Sequence, residues 1–295
     1  MDYVVETNEL TKKYGEKAAV DKASVRVRRG DVYGLIGKNG AGKTTLMRLL
    51  LGLAVPTSGE IKLFGSGDLN AGRRKIGSLI EAPAIFKNET AFENMKRFAI
   101  LAPTSDDKIK RILDLVGIGD TGAKKAGEFS LGMKQRLGIG IALLGNPELL
   151  VLDEPINGLD PAGIKEIRDL IVDLNRKGIT FMISSHILDE LGKIATNYGI
   201  VNEGVLEEIS AEELKARCRS SLKITVDDAA KASEIIEKAF PDCSFDTERG
   251  AVRITSEVKD ASEINGSLVT AGIRVYGLVD ESIGFEDYFI ERVGK

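Results

Sequence analysis

The sequence has little cysteine and no long apolar run, and each shortage excludes a class of protein. Its two cysteines, Cys218 and Cys243, form no close metal-binding pair, and we interpret them as free thiols of a cytosolic protein. The apolar runs, such as residues 149–152, are too short to cross a bilayer and suit buried core elements. We expect no secretion signal, because the first residues combine neither a basic start nor an apolar stretch.

Positive charge is not in surplus either. The 295 residues include 41 lysines and arginines against 45 aspartates and glutamates, which gives a formal net charge of -4. Binding to a nucleic-acid backbone needs a surplus of cations, so this balance argues against nucleic acid as the main ligand. With 43 % hydrophobic and 29 % charged residues, the chain has the composition of an ordinary globular protein with a core. Its length allows two modest domains, or one large domain with an appendage.

Two regions of different patterning follow one another, and we place them at residues 1–217 and 218–295. In the first, short apolar runs alternate with segments of helical period, which predicts a parallel sheet covered by helices on both faces. The predicted strands of this sheet are residues 31–37, 76–80, 148–153 and 179–184, and the predicted helices are residues 43–53, 91–101, 108–116, 131–144 and 162–176. Antiparallel strands are predicted at residues 3–10, 17–27 and 59–64. Helix-opening capping boxes are predicted at Thr90 with Glu93 and at Ser210 with Glu213.

The second region has another order of elements. Strands are predicted at residues 221–226, 244–246, 251–255 and 273–278, and helices at residues 229–240 and 261–271. This β-α-β-β-α-β order suits a small ferredoxin-like unit. The predicted fold class is therefore α/β with a small α+β domain at the C-terminal end.

A glycine-rich stretch joins the first strand of the parallel sheet to the first helix. Residues 37–44 are Gly-Lys-Asn-Gly-Ala-Gly-Lys-Thr, which is the spacing of a Walker A phosphate loop. Glycines let backbone amides surround phosphates, Lys43 would neutralise the β- and γ-phosphates, and the Thr44 hydroxyl would bind magnesium. The predicted ATP-binding residues of this stretch are Gly37, Lys38, Asn39, Gly40, Ala41, Gly42, Lys43, Thr44 and Thr45. The alternative is an incidental glycine turn.

Two carboxylates stand at the end of the strand predicted at residues 148–153. Asp153 and Glu154 follow four apolar residues, so a buried strand would bring both acids to the sheet edge where open α/β sheets bind ligands. Asp153 fits a Walker B residue that holds magnesium. Glu154 could accept a proton from the water that attacks the γ-phosphate. The alternative is an acidic turn before Pro155.

The only histidine of the sequence, His186, follows another predicted strand that would end at the same sheet edge. A lone histidine is more often structural than catalytic. Its placement here favours a sensor of the γ-phosphate, and we count His186 with Asp153 and Glu154 as a candidate catalytic residue.

Together these motifs resemble the nucleotide-binding domain of an ABC ATPase. The most diagnostic stretch is residues 129–136, Phe-Ser-Leu-Gly-Met-Lys-Gln-Arg, which stands where the family carries its signature sequence. Ser130 and Gly132 keep the functional positions, whereas Leu131 and Met133 replace the usual glycine and glutamine. Without its neighbours, this stretch would be interpreted only as a capped helix.

The resemblance covers about residues 3–215 and implies a P-loop ABC ATPase fold, with a parallel core sheet, an antiparallel N-terminal β subdomain and a helical subdomain. In the family two domains pair head to tail, and each ATP lies between the Walker A loop of one copy and the signature of the other. The resemblance therefore implies an ATP-dependent homodimer with Mg²⁺. Asp160 matches the D-loop that contacts the partner's site, although its segment is also a good helix start. Tyr14 stands where an aromatic residue stacks on adenine, with simple packing as the alternative.

One departure from the family pattern concerns the residue that follows the strand at 76–80. The family usually has glutamine there, and this chain has Glu81. Both side chains have nearly the same reach and could contact magnesium or the attacking water. The glutamate adds a negative charge and donates no hydrogen bond unless it is protonated.

The surroundings of Glu81 are similar to one branch of the family, the ATP-binding subunits of exporters for bacitracin and lantibiotic-type peptides, including self-protection systems. The similar stretches are residues 79–83, 88–94, 130–136 and 285–289. The resemblance implies ATP hydrolysis that powers export through separate integral-membrane permease subunits, at the cytoplasmic face of the cell membrane and without nucleic acid. Two alternatives stay open, a soluble ABC ATPase outside transport and a catalytically poor nucleotide sensor.

Overall fold

The structure is a computed structural model that describes residues 2–218, 221–256, 260–280, 285, 288 and 289. Glu286 and Asp287, which belong to the similar stretch at 285–289, lie outside the described residues. Backbone packing divides the chain into two units, residues 1–211 and 212–295. The helix α8 (Ala211–Arg217) begins at this division, and the division predicted from the sequence falls at its other end.

The larger unit contains a six-stranded sheet in the order β10-β9-β4-β8-β7-β6. Its strands are β4 (Val32–Ile36), β6 (Ile76–Leu79), β7 (Leu149–Asp153), β8 (Thr180–Ser185), β9 (Asn197–Asn202) and β10 (Val205–Ser210). The strands run parallel except β10, which pairs antiparallel with β9 at the edge. β4, β7 and β8 are buried along their whole length, as their continuous apolar runs predict for strands covered on both faces.

The parallel arrangement brings several candidate residues to one edge of the sheet. In the register of β7 and β8, Asp153 lies beside Ser184, and β4 pairs Ile36 with Ser185 on the other side of β8. The segments that follow these strands therefore leave the sheet side by side.

An antiparallel sheet precedes the parallel one and is formed by β1 (Tyr3–Tyr14), β2 (Lys17–Ala23), β3 (Arg26–Arg28) and β5 (Ser58–Leu63). The prediction of a single strand at 17–27 was wrong, because the β structure is interrupted between β2 and β3. The buried Thr7 hydroxyl donates to Ala23 O and accepts from Val25 N, both at 2.8 Å. This side chain satisfies the backbone groups at the break.

The helices of the larger unit are α1 (Lys43–Leu51), α2 (Leu69–Arg73), α3 (Ala91–Phe98), α4 (Asp106–Leu115), α5 (Leu131–Ala142), α6 (Pro161–Arg176) and α7 (Leu188–Gly192). Thr90 and Glu93 form the predicted capping box at the start of α3. The five-residue helices α2 and α7 were not predicted. None of the helices in the described part of the chain has the length and apolar character needed to cross a bilayer.

The smaller unit contains β11 (Leu222–Val226), α9 (Ala229–Ala239), β12 (Phe245–Glu248), β13 (Ala251–Ile254), α10 (Ala261–Thr270) and β14 (Val275–Asp280). Its strands form an antiparallel sheet in the order β12-β13-β11-β14. Ile224, Ile236 and Leu268 bring one side chain each from β11, α9 and α10 into a common core. The ferredoxin-like order predicted from the sequence is confirmed.

Candidate active site

The glycine-rich loop runs from the end of β4 to the start of α1, and its backbone requires glycine. Gly42 has a φ of 120°, and a Cβ there would lie 2.1 Å from Ala19 O. No side chain among the residues that the structure describes caps the N-terminus of α1, which leaves its first N–H groups for an anion. Lys43 is 5 % exposed, and its ammonium donates to Gly37 O at 2.6 Å. A buried cation therefore lies beside a helix N-terminus that favours negative charge.

Both oxygens of the Asp153 carboxylate are held by hydroxyl groups. Thr44 donates to Oδ2 at 2.8 Å, and Ser184 of β8 donates to Oδ1 at 2.6 Å. Asp153 is only 3 % exposed, and these two hydrogen bonds compensate for the burial of its charge. The first turn of α1 and the ends of β7 and β8 thus meet at one carboxylate.

Glu154 follows directly and has a φ of 50°, which is unusual for a residue other than glycine. Its N–H donates to the Ser184 hydroxyl at 2.8 Å. Its Oε2 lies 2.7 Å from Nδ1 of His186, and because a carboxylate only accepts, Nδ1 carries the proton. Oε1 is buried, has no hydrogen bond within the described part of the chain and lies 3.5 Å from the Lys43 ammonium. One oxygen of Glu154 is therefore fixed, and the other is left for a further partner.

The residues around Asp153 fit a magnesium ion that is bound together with a phosphate. The described residues contain no group of three or more histidines, cysteines or carboxylates that could hold a metal by themselves. Magnesium is commonly held by one or two carboxylates and by substrate phosphates, and it prefers hard oxygen ligands. The hydroxyl of Thr44 and the carboxylate of Asp153 are such ligands and lie in contact beside the phosphate loop.

Glu81 and Tyr14 lie away from this cluster. The Glu81 side chain is 65 % exposed, and its carboxylate forms an ion pair with Arg48 of α1. Among the described residues, no hydrogen bond or ion pair joins Glu81 to Thr44 or Asp153. Tyr14 is exposed at the end of β1, with the Lys12 ammonium 4.9 Å from its ring centre. The tyrosine ring is therefore accessible to a ligand.

The signature stretch lies beside a groove that is separate from the phosphate loop. A groove of about 500 Å³ is lined by Ser130, Leu131, Gly132 and Met133 together with Asp160. Ser130 caps α5 through the N–H of Met133, and Asp160 caps α6. No residue of the phosphate loop lines this groove. The structure thus separates the two groups of predicted ATP-binding residues within one copy of the chain.

Comparison with known proteins identifies the family. A family model described as ABC transporter matches residues 20–157. The bacitracin transport ATP-binding protein BcrA of Enterococcus faecalis is 41 % identical over the whole of this chain and 97 % of that relative. The chain belongs to the ABC transporter family. It is an ATP-binding subunit, as the sequence motifs predict.

Two further comparisons agree with this assignment. The lantibiotic transport ATP-binding protein SrtF of Streptococcus pyogenes is 46 % identical over 66 % of this chain and 85 % of that relative. The solved ADP conformation of MJ1267, an ATP-binding cassette of an ABC transporter, has a TM-score of 0.67 and 28 % identity, over 72 % of this chain and 93 % of that chain. The predicted ABC ATPase fold and the resemblance to the bacitracin and lantibiotic branch are confirmed.

Two residues that contact candidate site residues, and one buried residue of α3, were missed in the sequence. Ser184 contacts both Asp153 and Glu154, and Arg48 pairs with Glu81. The fully buried Asn94 accepts from Phe86 N at 2.7 Å and donates to the carbonyls of residues 86, 89 and 90. The polar end of an otherwise apolar strand was the available signal for Ser184. The ion pair of Arg48 joins distant segments, whereas the partners of Asn94 all lie within eight residues of it.

Proposed function

We propose that this chain hydrolyses ATP to drive an ABC exporter, and that the exported substrate is a peptide antibiotic of the bacitracin or lantibiotic type. The observation that carries the proposal is the similarity to BcrA, because it extends over the whole chain and is not limited to the ATP-binding motifs. The convergence of Lys43, Asp153, Glu154 and His186 supports the hydrolytic part.

Binding of ATP uses the phosphate loop. The free amides at the start of α1 and the Lys43 ammonium would hold the β- and γ-phosphates, while the exposed ring of Tyr14 would stack on adenine. Thr44 and Asp153 would hold Mg²⁺, with Glu81 as a further candidate ligand after it leaves Arg48. The ion would supply neutralisation of the charge on the phosphates.

The proton transfer uses Glu154. His186 holds Oε2, so the unbonded Oε1 is the oxygen available to accept a proton from the attacking water. The Lys43 ammonium lies 3.5 Å from this oxygen, so the site of proton transfer is beside the cation that would hold the phosphates. His186 would also sense the γ-phosphate through its second ring nitrogen, Nε2, which takes no part in the contact with Glu154.

Two copies of the chain would complete the sites. The signature groove lies apart from the phosphate loop of its own copy, so it is suited to cover the ATP of a partner copy, with Asp160 at its border. Closure of the homodimer would then act on separate permease subunits at the cytoplasmic face of the membrane. This arrangement assigns a role to the residues of the phosphate loop and to those of the signature groove.

The test uses cells and purified protein together. Cells without this chain should become more sensitive to bacitracin or a lantibiotic, and the wild-type chain should restore resistance while Glu154→Gln should not. The purified wild-type chain should release phosphate from ATP. Equal rescue by both chains would overturn hydrolysis-driven export, and unchanged sensitivity to every peptide antibiotic would overturn the substrate assignment. ATP binding without release, even with the permease, would indicate a nucleotide sensor.

A further inference from the structure

A single hydroxyl group contacts both acidic residues of the proposed site. Ser184 is completely buried, donates to Asp153 Oδ1 at 2.6 Å and accepts from the Glu154 N–H at 2.8 Å. The register of β7 and β8 sets this contact, because Asp153 and Ser184 are direct neighbours in adjacent parallel strands. The hydroxyl thus uses its one proton on the carboxylate and an acceptor site on the backbone.

We propose that Ser184 is a positioning residue that orients Asp153 toward the metal and Glu154 toward the water. This inference rests on the proposed function, since it assumes the roles given to the two acids. Ser184 occupies Oδ1 from inside the sheet, which leaves Oδ2 as the oxygen that faces Thr44. When the Thr44 hydroxyl turns to a ligand, Oδ2 becomes free while Oδ1 stays fixed.

The contact with Glu154 explains a second feature. A φ of 50° is unfavourable for glutamate, and surrounding structure must hold such a conformation. The hydrogen bond from the Glu154 N–H to Ser184 Oγ fixes the backbone at this residue. The side chain then lies between His186 and Lys43. Ser184 therefore fixes the orientation of the base as well as that of the metal ligand.

The experiment measures metal affinity directly. Mn²⁺ replaces Mg²⁺, and its binding to the purified full chain with ADP is followed by electron paramagnetic resonance. Ser184→Ala should weaken Mn²⁺ binding about 10-fold, the usual lower limit for loss of a residue that supports a metal ligand. Affinity for ADP in the presence of EDTA should stay unchanged, and Ser184→Thr, which keeps the hydroxyl, should restore the metal affinity.

Thr180→Val is the matched control. Thr180 is also fully buried in β8, but its hydroxyl accepts from Gly30 N at the other end of the strand. The control should bind Mn²⁺ like the wild type. If Ser184→Ala does not fold, as judged by circular dichroism, Ser184→Cys replaces it, because a thiol is a weaker donor of similar size.

Two outcomes would overturn the inference. One is wild-type Mn²⁺ affinity in Ser184→Ala, and the other is an equal loss in Thr180→Val, which would indicate a general effect on the strand. Asp153→Asn separates this inference from the function. If the wild type binds no Mn²⁺ with ADP, or if Asp153→Asn binds it normally, the assigned metal site itself is wrong and the role of Ser184 is lost with it.

Discussion

Arg48 holds Glu81 in an ion pair that joins the last turn of α1 to the turn after β6. Glu81 has a φ of 62°, so contacts from outside its own segment must maintain this backbone conformation. Both side chains are well exposed, and an exposed ion pair stabilises a fold by at most about 1 kcal/mol. The pair is therefore weak enough to open, as the proposed role of Glu81 at the metal requires.

The proposed competition between Arg48 and the metal for Glu81 would give opposite effects for two substitutions. Glu81→Gln should raise the Mg²⁺ concentration for half-maximal ATP hydrolysis, because the amide has no net charge to offer the ion. Arg48→Gln should lower that concentration, because it releases the carboxylate. The free energy of unfolding of both variants should lie within about 1 kcal/mol of the wild-type value. Titration of the hydrolysis rate with Mg²⁺ measures the effect, and a shift of both variants in one direction would contradict it.

Lys43→Ala should weaken ATP binding at least 10-fold, or about 1.4 kcal/mol, because the phosphates lose a buried cation. Fluorescence of a bound ATP analogue gives the affinity. Lys62→Ala removes the same charge from an exposed position on β5 and should bind like the wild type. Equal affinity in all three proteins would remove Lys43 from the phosphate site.

Glu154→Gln should keep its affinity for ATP and lose about 10²–10⁴-fold in hydrolysis rate, because an amide cannot accept the proton of the attacking water. The contacts of the Glu154 backbone are kept, so the variant should fold like the wild type. Because it binds ATP and hydrolyses it slowly, it should accumulate as a dimer with ATP. Size-exclusion chromatography with ATP and with ADP distinguishes the two states. A monomer under both conditions would count against the proposed pairing of two copies.

The sequence predicted those elements whose patterns are local. Continuous apolar runs located β4, β7 and β8, and the spacing of glycines located the phosphate loop. The hairpin of β9 and β10 was missed. In the structure Glu203 and Gly204 both have positive φ, as a two-residue hairpin turn requires. The contacts of Ser184 and Arg48 depend on strand register and on how the turn after β6 packs. Such information is not contained in local spacing.

Asn94→Ala should destabilise the larger unit by about 2–4 kcal/mol. Its amide group is fully buried and satisfies backbone groups of residues 86, 89 and 90. Loss of a partner leaves each buried group with a cost of about 1–3 kcal/mol. Urea unfolding measures the change, and limited proteolysis should show faster cleavage in the segment at 82–90. Asn88→Ala, an exposed position in the same segment, is the control.

The acid stability of the chain should depend partly on Glu190, which lies in α7, shortly after His186. Hydrogen bonds from Lys193 and Arg168 lower the pKa of Glu190 below the ordinary value of 4.5. A carboxyl group with a lowered pKa in the folded state stabilises the fold above the unfolded pKa, and this contribution is lost as the pH falls through the folded pKa. The free energy of unfolding should therefore decrease below about pH 4.5 more steeply in the wild type than in Glu190→Gln.

Urea titrations from neutral pH to about pH 3 would show this difference, with the exposed Glu234→Gln as the control. Parallel curves for all three proteins would mean that the ion pair between α6 and α7 contributes nothing to stability.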